Sequence, residues 1–474
     1  MKAVWDWKKH FAEVGDKDVF DTYIAEALLS EGRYLPTEEK AYEMNNASTP
    51  DTLAAKQKER LSAFPKLGKL FYEVELPLAP ILFKMEELGI TLDIKELDEI
   101  GRQILSKSQV VKKDILDTIG YEINLNSSPQ VGEYLVEKEG VPLGRTKTGK
   151  YATNEGELSK FQDQFEVIRN LLQYRALAKL HSTYVQSLID KVDSEGRVHT
   201  TYHQVYVNTG RLASSNPNLQ NIPVTSVFGN KIKGCFKPTP GYVLVSFDYS
   251  QQELRIMAHL SGEPKLIEAF KNKQDVHKIT AGQLFGVHHE EVTAEQRRVG
   301  KTINFGIIYG MSGYGMSENL QIGVAEGEEF IQNFYRTFPR IKEYYDNYLN
   351  NARIHGFVET ILGRRRYVFE NPQRKLIDNG ARRVLMNFPI QGSAADLMKL
   401  AMVTLHQRVL HKETAVRLLL QIHDDLVFEI KNNQDLKKHV AAIKEIMCNI
   451  YPLTVPMEVD VKIGMNWGEM KPLT

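Results

Sequence analysis

Two apolar, β-rich runs lie far apart in the chain, and each delivers an aspartate at its end. Residues 243–247 lead into Asp248, and residues 418–422 lead, through His423, into Asp424. A carboxylate at the end of an apolar strand is costly unless a cation or a hydrogen-bond donor meets it. If both carboxylates serve one site, the two strands must meet in one sheet across a long insertion.

The hydrophobic pattern indicates what that insertion contains. Residues 250 to about 410 have a mostly helical pattern, whereas residues 197–247 have the pattern of strands and turns. A sheet whose helices form a separate region belongs to the α+β class, which the sequence therefore predicts. The elements predicted around the insertion are strands at 242–248, 418–430 and 455–461 and a helix near 434–449.

Composition limits the classes of protein that the chain can belong to. The 474 residues suffice for about three domains of roughly 150 residues. Cys235 and Cys448 give neither a disulfide framework nor a zinc spacing, and they fit a reducing compartment. The charged N-terminus is unlike a secretory signal, and no apolar run approaches the ~20 residues of a membrane span. We expect a cytoplasmic protein without a membrane partner, either associated with a nucleoid or encoded by a phage.

Charge gives no overall indication of a nucleic-acid partner, because the formal net charge is zero. A nucleic-acid surface would have to come from local clusters of Lys and Arg. Each such cluster, taken alone, is more often a solvated surface than a phosphate site. The clusters are Arg297/Arg298/Lys301, Arg364–Arg366, Arg374–Lys375 and Arg382–Arg383.

One basic cluster continues into an aromatic row. Arg297, Lys301, Phe305 and Tyr309 recur every fourth residue on a predicted helix and therefore occupy one broad, slanting face. Two cations followed by two rings match an extended ligand with phosphates at one end and a base at the other. Two carboxylates from different strands can hold two divalent ions, the arrangement that serves in-line phosphoryl transfer.

Local rules give expectations for the acidic residues. Ser250 with Glu253 predicts a capping box at the start of the helix that follows Asp248. Asp424 and Asp425 are adjacent in a predicted hairpin, and successive side chains of extended structure point to opposite faces. Only one of the two is therefore expected to reach the same ions as Asp248.

The segments 243–255, 297–310 and 418–428 resemble, in this order, motifs A, B and C of the family A DNA polymerases, the bacterial DNA polymerase I type. The resemblance covers residues 73–474 almost continuously. It implies a right-hand polymerase fold with an antiparallel palm sheet and helical fingers and thumb. The implied regions are a thumb at 71–200, a palm at 201–262 and 376–474, and fingers at 263–375.

The resemblance also implies roles for individual residues. Asp248, Asp424 and the Tyr249 carbonyl would hold two Mg²⁺ ions, for which Mn²⁺ could substitute. Lys301 would donate to the leaving pyrophosphate, and Asp425 would have an accessory catalytic role. The implied nucleotide-binding residues are Arg297, Lys301, Phe305, Tyr309, Glu253, Gln251 and His277. The implied DNA-binding residues are Arg211, Asn218, Gln220, Arg383, Asn387, Gln391 and His423.

Two positions depart from the family pattern. Gln252 stands where the family usually has Ile, beside Glu253, which in the family is the steric gate that excludes a 2′-hydroxyl. Asp425 stands where the family has Glu and is one methylene shorter, so its accessory role is an open question.

The implied function is DNA-directed DNA polymerase, a monomer that extends a primer–template with deoxynucleoside triphosphates. Two alternatives remain. A polymerase could use an RNA template or ribonucleotides, although Glu253 argues against ribonucleotides. A polymerase-like DNA-binding protein could have lost its active site, although the set of Asp248, Asp424 and Lys301 argues against that reading.

The first 70 residues resemble part of the family's 3′–5′ exonuclease domain. Residues 5–7 and 19–22 are similar to its later segments, but no Asp-x-Glu occurs in residues 1–70. About 70 residues is also short for a domain with its own cleft, typically ~100–150. We expect an inactive, truncated remnant without proofreading, in which Asp6 and Asp21 are solvated surface carboxylates.

Overall fold

The computed structural model describes residues 1–15, 18–223, 226–368 and 379–473. The basic pair Arg374–Lys375 and the expected boundary between fingers and palm lie outside the described residues. Within the described part, a five-stranded antiparallel sheet and a large helical region occupy separate stretches, which confirms the predicted α+β class. No helix within these ranges is long and apolar enough to cross a membrane.

The first 70 residues form a small layer whose apolar side chains share one core with residues 71–79, and the Phe20 and Phe71 rings lie 5.0 Å apart in it. The parallel strands are β1 (Lys2–Val4) and β2 (Val19–Asp21). The helices are α1 (Phe11–Val14), α2 (Thr22–Leu29), α3 (Glu38–Asn45), α4 (Pro50–Ser62) and α5 (Pro65–Leu70). Lys8 ties the layer to the remaining chain by donating to the Tyr202 carbonyl at 2.7 Å.

The prediction that Asp6 and Asp21 are solvated is wrong. Asp21 is 1% exposed and caps α2. Its oxygens accept backbone N–H groups of Trp7 at 2.7 Å, Tyr23 at 2.9 Å and Ile24 at 3.0 Å. Asp6 is also buried and pairs with Lys9 at 2.8 Å. The chain uses both carboxylates to satisfy its own donors, which sequence spacing alone does not reveal.

A mainly helical stretch follows and ends in a small sheet. It contains α6 (Leu76–Leu88), β3 (Ile90–Leu92), α7 (Ile94–Ile119), α8 (Ser128–Glu133), α9 (Glu155–Leu158), α10 (Glu166–Lys179), α11 (Ser187–Ile189) and β4 (Arg197–Val198). The long helix α7 begins at Asp93, whose side chain accepts the Glu96 N–H. Its apolar stripe packs against α10, and this contact holds the stretch together.

Residues 201–261 lead into the central sheet. They contain β5 (Thr201–His203), β6 (Ala213–Ser215), α12 (Val227–Gly234), β7 (Phe236–Lys237), β8 (Tyr242–Tyr249) and α13 (Gln252–Ser261). The helix α12 was not expected in a stretch predicted as strands and turns. Ser226 caps it by accepting the Gly229 N–H at 2.9 Å, and Ile232 buries its apolar face.

The helical insertion lies between β8 and the second aspartate strand, as predicted. It contains α14 (Pro264–Lys271), α15 (Val276–Phe285), α16 (Ala294–Ile308), α17 (Gly313–Leu320), α18 (Val324–Thr337) and α19 (Pro339–His355), followed by the hairpin of β9 (Phe357–Glu359) and β10 (Arg365–Tyr367). Ile303, Phe334 and Phe338 of the insertion share one apolar core with Met257 of α13, so the insertion packs against the helix that follows β8.

The chain then returns to the central sheet. The returning elements are α20 (Asn379–Leu405), β11 (Val416–Ile422), β12 (Asp425–Lys431), α21 (Leu436–Cys448), β13 (Val459–Gly464) and β14 (Lys471–Pro472). The strand order is β11–β12–β8–β13–β14, so both aspartate strands meet, as the sequence requires. The hairpin predicted within 418–430 is present as β11 and β12, which are antiparallel and joined by a tight turn.

The two faces of the central sheet alternate along β8. Phe247 points to the core formed with α20 and α21, where its ring meets Phe428 edge-on at 5.4 Å. Such an aromatic pair adds about 0.5–1.5 kcal/mol beyond its buried area. Leu244 points to the opposite core, beside Phe236 and Trp467. Both faces are covered, which fixes the register that places Asp248 at the end of β8.

Candidate active site

Three carboxylates form a row across the central sheet. Asp248 on β8 lies directly opposite Asp425 on β12 and Asp460 on β13. Residues opposite each other in antiparallel strands point to the same face, so the three side chains are neighbours. Asp460 was not among the predicted site residues. The alternation of Asp460 and Lys462 with apolar residues in a strand pattern was the signal that could have found it.

Asp424 reaches the same place from the turn between β11 and β12. His423 adopts a left-handed backbone conformation with φ +54°, and the Asp424 carbonyl accepts the Tyr249 N–H at 3.0 Å. Asp424 lines the same cavity as Asp248, whereas Asp425 is not among the residues that line it. The Ser246 hydroxyl instead donates to both oxygens of Asp425, at 2.8 and 2.9 Å. That only one of the two aspartates reaches the same ions as Asp248 stays a prediction.

This crowding changes the acidity of the carboxylates. Burial, followed by the charges of Asp425 and Asp424, raises the pKa of Asp248 to about 7, with Lys462 opposing. Burial also raises the pKa of Asp424 above its usual value, and Arg211 opposes that shift. Partly desolvated, mutually repelling carboxylates of this kind are relieved by a cation.

The oxygen-only donor set fits Mg²⁺, which binds through one or two protein carboxylates together with waters and substrate phosphates. Asp248 and Asp424 could hold such an ion, with the adjacent Tyr249 carbonyl as the third expected donor. Among the described residues, no group of three or more His, Cys, Asp or Glu side chains is arranged to hold a metal. The protein therefore offers an open site that a substrate would have to complete.

An open cavity of about 360 Å³ joins these carboxylates to the predicted nucleotide-binding residues. Every residue of that predicted set lines it, together with all three proposed metal ligands. The lining residues are Arg211, Asp248, Tyr249, Ser250, Gln251, Gln252, Glu253, His277, Arg297, Lys301, Phe305, Tyr309, Asp424 and Asp460. The structure thus brings together residues that are far apart in the sequence.

The helix α16 presents the predicted row of cations and rings. Thr293 caps it with a complete capping box, and the helix ends at Ile308, so Tyr309 is its C-cap residue. Arg297 donates to Asp275 at 2.6 Å, and Lys301 is exposed. The Phe305 and Tyr309 rings are stacked at an interplanar angle of 18°. The row therefore faces the cavity with charge at one end and aromatic surface at the other.

His277 lies behind this row. Its Nδ1 is 2.9 Å from the Asn304 amide nitrogen, and its ring centroid is 5.9 Å from that of Phe305. Burial lowers the pKa of His277 to about 4, with Asp275 opposing and the nearby cations reinforcing the shift. The imidazole is therefore neutral at pH 7 and presents a polar ring without charge.

Glu253 connects three parts of the site. It is 5% exposed, accepts Arg211 at 2.6 Å, and accepts the Tyr309 hydroxyl at 2.9 Å. Burial raises the pKa of Glu253, and Arg211 opposes that shift. The predicted capping box is wrong, since the N-cap of α13 is Gln251, in a left-handed conformation and without a side-chain cap bond. Glu253 faces the cavity instead of the helix terminus.

Two glutamines lie beside this carboxylate. Gln252 is buried, and its amide donates to the Ala394 carbonyl at 3.4 Å. A polar side chain therefore packs under Glu253, where the family usually has Ile. The side-chain oxygen of Gln251 is buried without a hydrogen-bond partner in the described part of the chain. It is an acceptor that a ligand could use.

The predicted DNA-binding residues lie on more than one surface, and Arg211 lines the active-site cavity. A groove of about 760 Å³ is lined by Asn218, Gln220 and His423, together with Lys179 and Lys191. Asn218 accepts the Ser214 hydroxyl, and Gln220 donates to Gln421, so both are held in place. A second cavity, of about 260 Å³, contains Arg383. Asn387 and Gln391 follow Arg383 on α20, and the Asn387 side-chain oxygen is buried without a hydrogen-bond partner among the described residues.

The cluster Arg364–Arg366 is not a solvated surface. Arg364 is 5% exposed and bonded to buried carboxylates. Arg365 is half-buried, pairs with Glu359 at 3.2 Å and packs its guanidinium over Phe64 at 4.1 Å from the ring centroid. Its charge serves packing between the first layer and the β9–β10 hairpin.

An antiparallel sheet that carries the carboxylates, joined to a helical insertion that carries cations and rings, defines the class of fold, and comparison identifies the family. The model of DNA polymerase family A matches residues 94–469. The chain belongs to this family, which confirms the resemblance drawn from its motifs.

Relatives and solved structures agree with this assignment. DNA polymerase I from Thermus thermophilus is 42% identical over 87% of this chain and 50% of its own length. DNA polymerase I from Geobacillus stearothermophilus is 41% identical over 85% of this chain and 46% of its own length. The chain thus spans about half the length of these relatives. The polymerase domain of Pol1 from M. smegmatis, solved with DNA primer-template and dNTP, superposes with a TM-score of 0.87 at 34% identity, covering 94% of this chain and 82% of that one.

Proposed function

We propose that this chain is a DNA-directed DNA polymerase that adds deoxynucleotides to the 3′-hydroxyl of a primer. The observation that carries this proposal is the single cavity that joins Asp248 and Asp424 to the row of Arg297, Lys301, Phe305 and Tyr309. Family membership supports it, as does the solved relative described with primer-template and dNTP. The partners are then primer–template DNA and deoxynucleoside triphosphates, bound by a monomer.

Each side chain of the cavity then has a task in phosphoryl transfer, which depends mostly on positioning and charge stabilisation. Arg297 and Lys301 bind the triphosphate, and Lys301 can donate a proton to the leaving pyrophosphate. Phe305 supports the sugar and base, while Tyr309 meets the templating pair. The remaining three proposed nucleotide contacts are Glu253, Gln251 and His277.

Asp248 and Asp424, with the Tyr249 carbonyl, would hold two Mg²⁺ ions, or Mn²⁺ in their place. Bound there, the ions would neutralise charge on the reacting phosphate and lower the pKa of the primer hydroxyl. Asp425 accepts the Ser246 hydroxyl and adds negative charge next to Asp248. Its proposed accessory role is therefore to maintain the negative electrostatic potential around Asp248.

The remaining surfaces complete the proposal. Arg211, Asn218, Gln220 and His423 meet the primer end of the duplex, and Arg383, Asn387 and Gln391 meet template and primer. The acceptors of the minor groove are nearly the same for all base pairs, so Arg and Gln side chains there can check pair geometry without reading sequence. We assign the thumb to 71–200, the palm to 201–262 and 376–474, and the fingers to 263–375.

Residues 1–70 are proposed to lack proofreading activity. The carboxylate of Asp21 is occupied by three backbone N–H groups, and Asp6 is paired with Lys9. Neither is presented to a cleft as a metal ligand. The layer then serves as packing against the polymerase core.

Primer extension by Asp248→Asn and Asp424→Asn variants tests the proposal. Each change removes a charged metal ligand and is expected to slow extension by roughly a thousandfold or more, because such ions supply several kcal/mol of transition-state stabilisation. DNA binding should persist. Asp163→Asn, an exposed carboxylate in a loop before α10, is the matched control and should extend normally.

Two outcomes would contradict the proposal. A wild-type protein that binds primer–template but does not extend it with Mg²⁺ and four deoxynucleotides would favour a DNA-binding protein with a lapsed site. If either variant extended primers within tenfold of the wild-type rate, the substituted aspartate would not be a ligand of the metal ions.

A further inference from the structure

Four charged side chains are buried together beside the turn that precedes Arg211. Glu75, Asp396 and Lys399 are almost fully inaccessible, as is Arg364. The Arg364 guanidinium bridges Glu75 and Asp396, with its Nε 2.8 Å from Asp396 Oδ1. Lys399 donates to Glu75 at 2.7 Å. Two cations balance two anions, so the cluster is neutral as a whole.

Further hydrogen bonds from neighbouring side chains restrain the cluster. The Thr360 hydroxyl donates to Asp396 at 2.6 Å, and the Gln204 amide donates to Glu75 at 2.6 Å. Burial alone would raise the pKa of Glu75, but Lys399 and Arg364 outweigh it and bring the pKa to about 2. Glu75 is therefore ionised, and the guanidinium that it holds cannot turn away without leaving a buried charge unpaired.

The backbone turn that precedes Arg211 rests on this guanidinium. Gly210 has φ +81°, and a Cβ placed there would lie 2.6 Å from Arg364 Cζ. A Cβ at Gly392 of α20 would lie 2.6 Å from Thr360 Cγ2 and 3.3 Å from the Thr209 carbonyl oxygen. The turn is therefore packed against a hydrogen-bonded cation and a helix, with no room for a side chain at Gly210.

Arg211 extends from this turn into the active-site cavity. It holds Glu253 at 2.6 Å and is the main opposing charge on Asp424. A displacement of Gly210 would move Arg211 relative to both. This short segment therefore links the cluster to the site, and Lys399 also lines a small pocket with Arg211 and Asp424.

We propose that the buried cluster around Arg364 positions Arg211 through Gly210, so that Arg364 and Gly210 determine how strictly a paired primer terminus is required. This inference rests on the proposed polymerase function. It assigns Arg364 no contact with substrate, and Arg364 is a positioning residue. The property that we expect these two residues to control is the preference for extending a matched over a mismatched primer end.

Gly210→Ala is the principal test, with Gly149→Ala as its matched control. Gly149 has φ +80°, nearly the same conformation, but a Cβ there meets nothing within 4 Å. Both variants place an alanine at nearly the same positive φ, and only Gly210→Ala pushes against Arg364. The readout is kcat/KM for extension of matched and of mismatched primer termini.

We expect Gly210→Ala to lower the matched-over-mismatched ratio by about tenfold, the size of one lost charge-assisted hydrogen bond. Gly149→Ala should keep the wild-type ratio. Arg364→Lys keeps the charge but loses the fork that holds both carboxylates, and it should lower the ratio by an intermediate factor.

A double-mutant cycle separates positioning from general destabilisation. If Gly210 acts through Arg211, then Gly210→Ala combined with Arg211→Ala should discriminate no worse than Arg211→Ala alone. Additive losses in the double variant, or an unchanged ratio in Gly210→Ala, would overturn the inference. Failure of the wild type to extend any primer would instead reject the polymerase function on which it rests.

Discussion

At the scale of single residues, the partners of a side chain decide its role more than its local sequence does. Glu253 stands three residues after Ser250, a spacing that predicts a capping box. In the structure the same carboxylate binds Arg211 and the Tyr309 hydroxyl across the cavity. Those partners come from distant parts of the chain, so no local pattern could have indicated them.

The position of Glu253 predicts selection against ribonucleotides. Glu253→Ala removes a buried side chain from the floor of the cavity and opens space for a 2′-hydroxyl. We expect the preference for dATP over ATP to fall by roughly 10–100-fold, the range that pocket shape can supply. The measurement is the ratio of kcat/KM values for the two nucleotides.

Glu253→Gln distinguishes the effect of side-chain volume on nucleotide selection from the effect of side-chain charge. It preserves the size of the side chain and weakens the pairing with Arg211, so the preference for dATP should remain close to that of the wild type. An unaltered preference in Glu253→Ala would show that the carboxylate does not lie against the sugar.

At the scale of secondary structure, periodic patterns predicted strands and long helices well, and local terminus rules were less reliable. Strands β8 and β13 and the helices α16 and α21 lie close to where the pattern placed them. The helix α12 was missed because Gly, Lys and Asn occupy much of its short length and only Ile232 and its neighbours bury a face. Tertiary contacts, rather than propensity, stabilise such a helix.

The cap of α2 gives a stability prediction for the first layer. Asp21→Ala removes the acceptor of three backbone N–H groups and leaves them buried. We expect the free energy of unfolding to fall by about 2 kcal/mol or more, the sum of a lost cap and unsatisfied donors. Urea unfolding, followed by circular dichroism, measures the change.

Thr37→Ala is the control, since Thr37 is an exposed cap of α3 that accepts one N–H at 3.2 Å. Its loss should cost about 1 kcal/mol or less. Nuclease activity is the second readout for the same layer. Shortening of a mismatched primer without nucleotides, surviving in Asp248→Asn and lost in Asp21→Ala, would show that Asp21 serves an exonuclease site.

At the scale of the whole molecule, the sequence predicted which residues share the site but not all the residues that build it. Asp248, Asp424 and the row of cations and rings on α16 lie in one cavity, as their motifs predicted. The prediction succeeded because strand pairing and helix periodicity constrain the positions of these residues directly. Asp460 and the cluster around Arg364 were missed. Their roles depend on strand register and on packing between distant segments, which only the folded chain defines.

The distribution of charge over the molecule predicts how DNA binding depends on salt. The formal net charge is zero, yet Lys179 and Lys191 line the same groove as Asn218, Gln220 and His423. Each lysine that neutralises a DNA phosphate releases counterions, with a log–log salt slope of ~0.9 per contact on duplex DNA. Affinity for primer–template should therefore fall steeply between low and physiological salt, and Lys179→Ala should reduce the slope by about one. Lys56→Ala, an exposed lysine of the first layer, should leave the slope unchanged, whereas a flat salt dependence in the wild type would contradict a phosphate-lined groove.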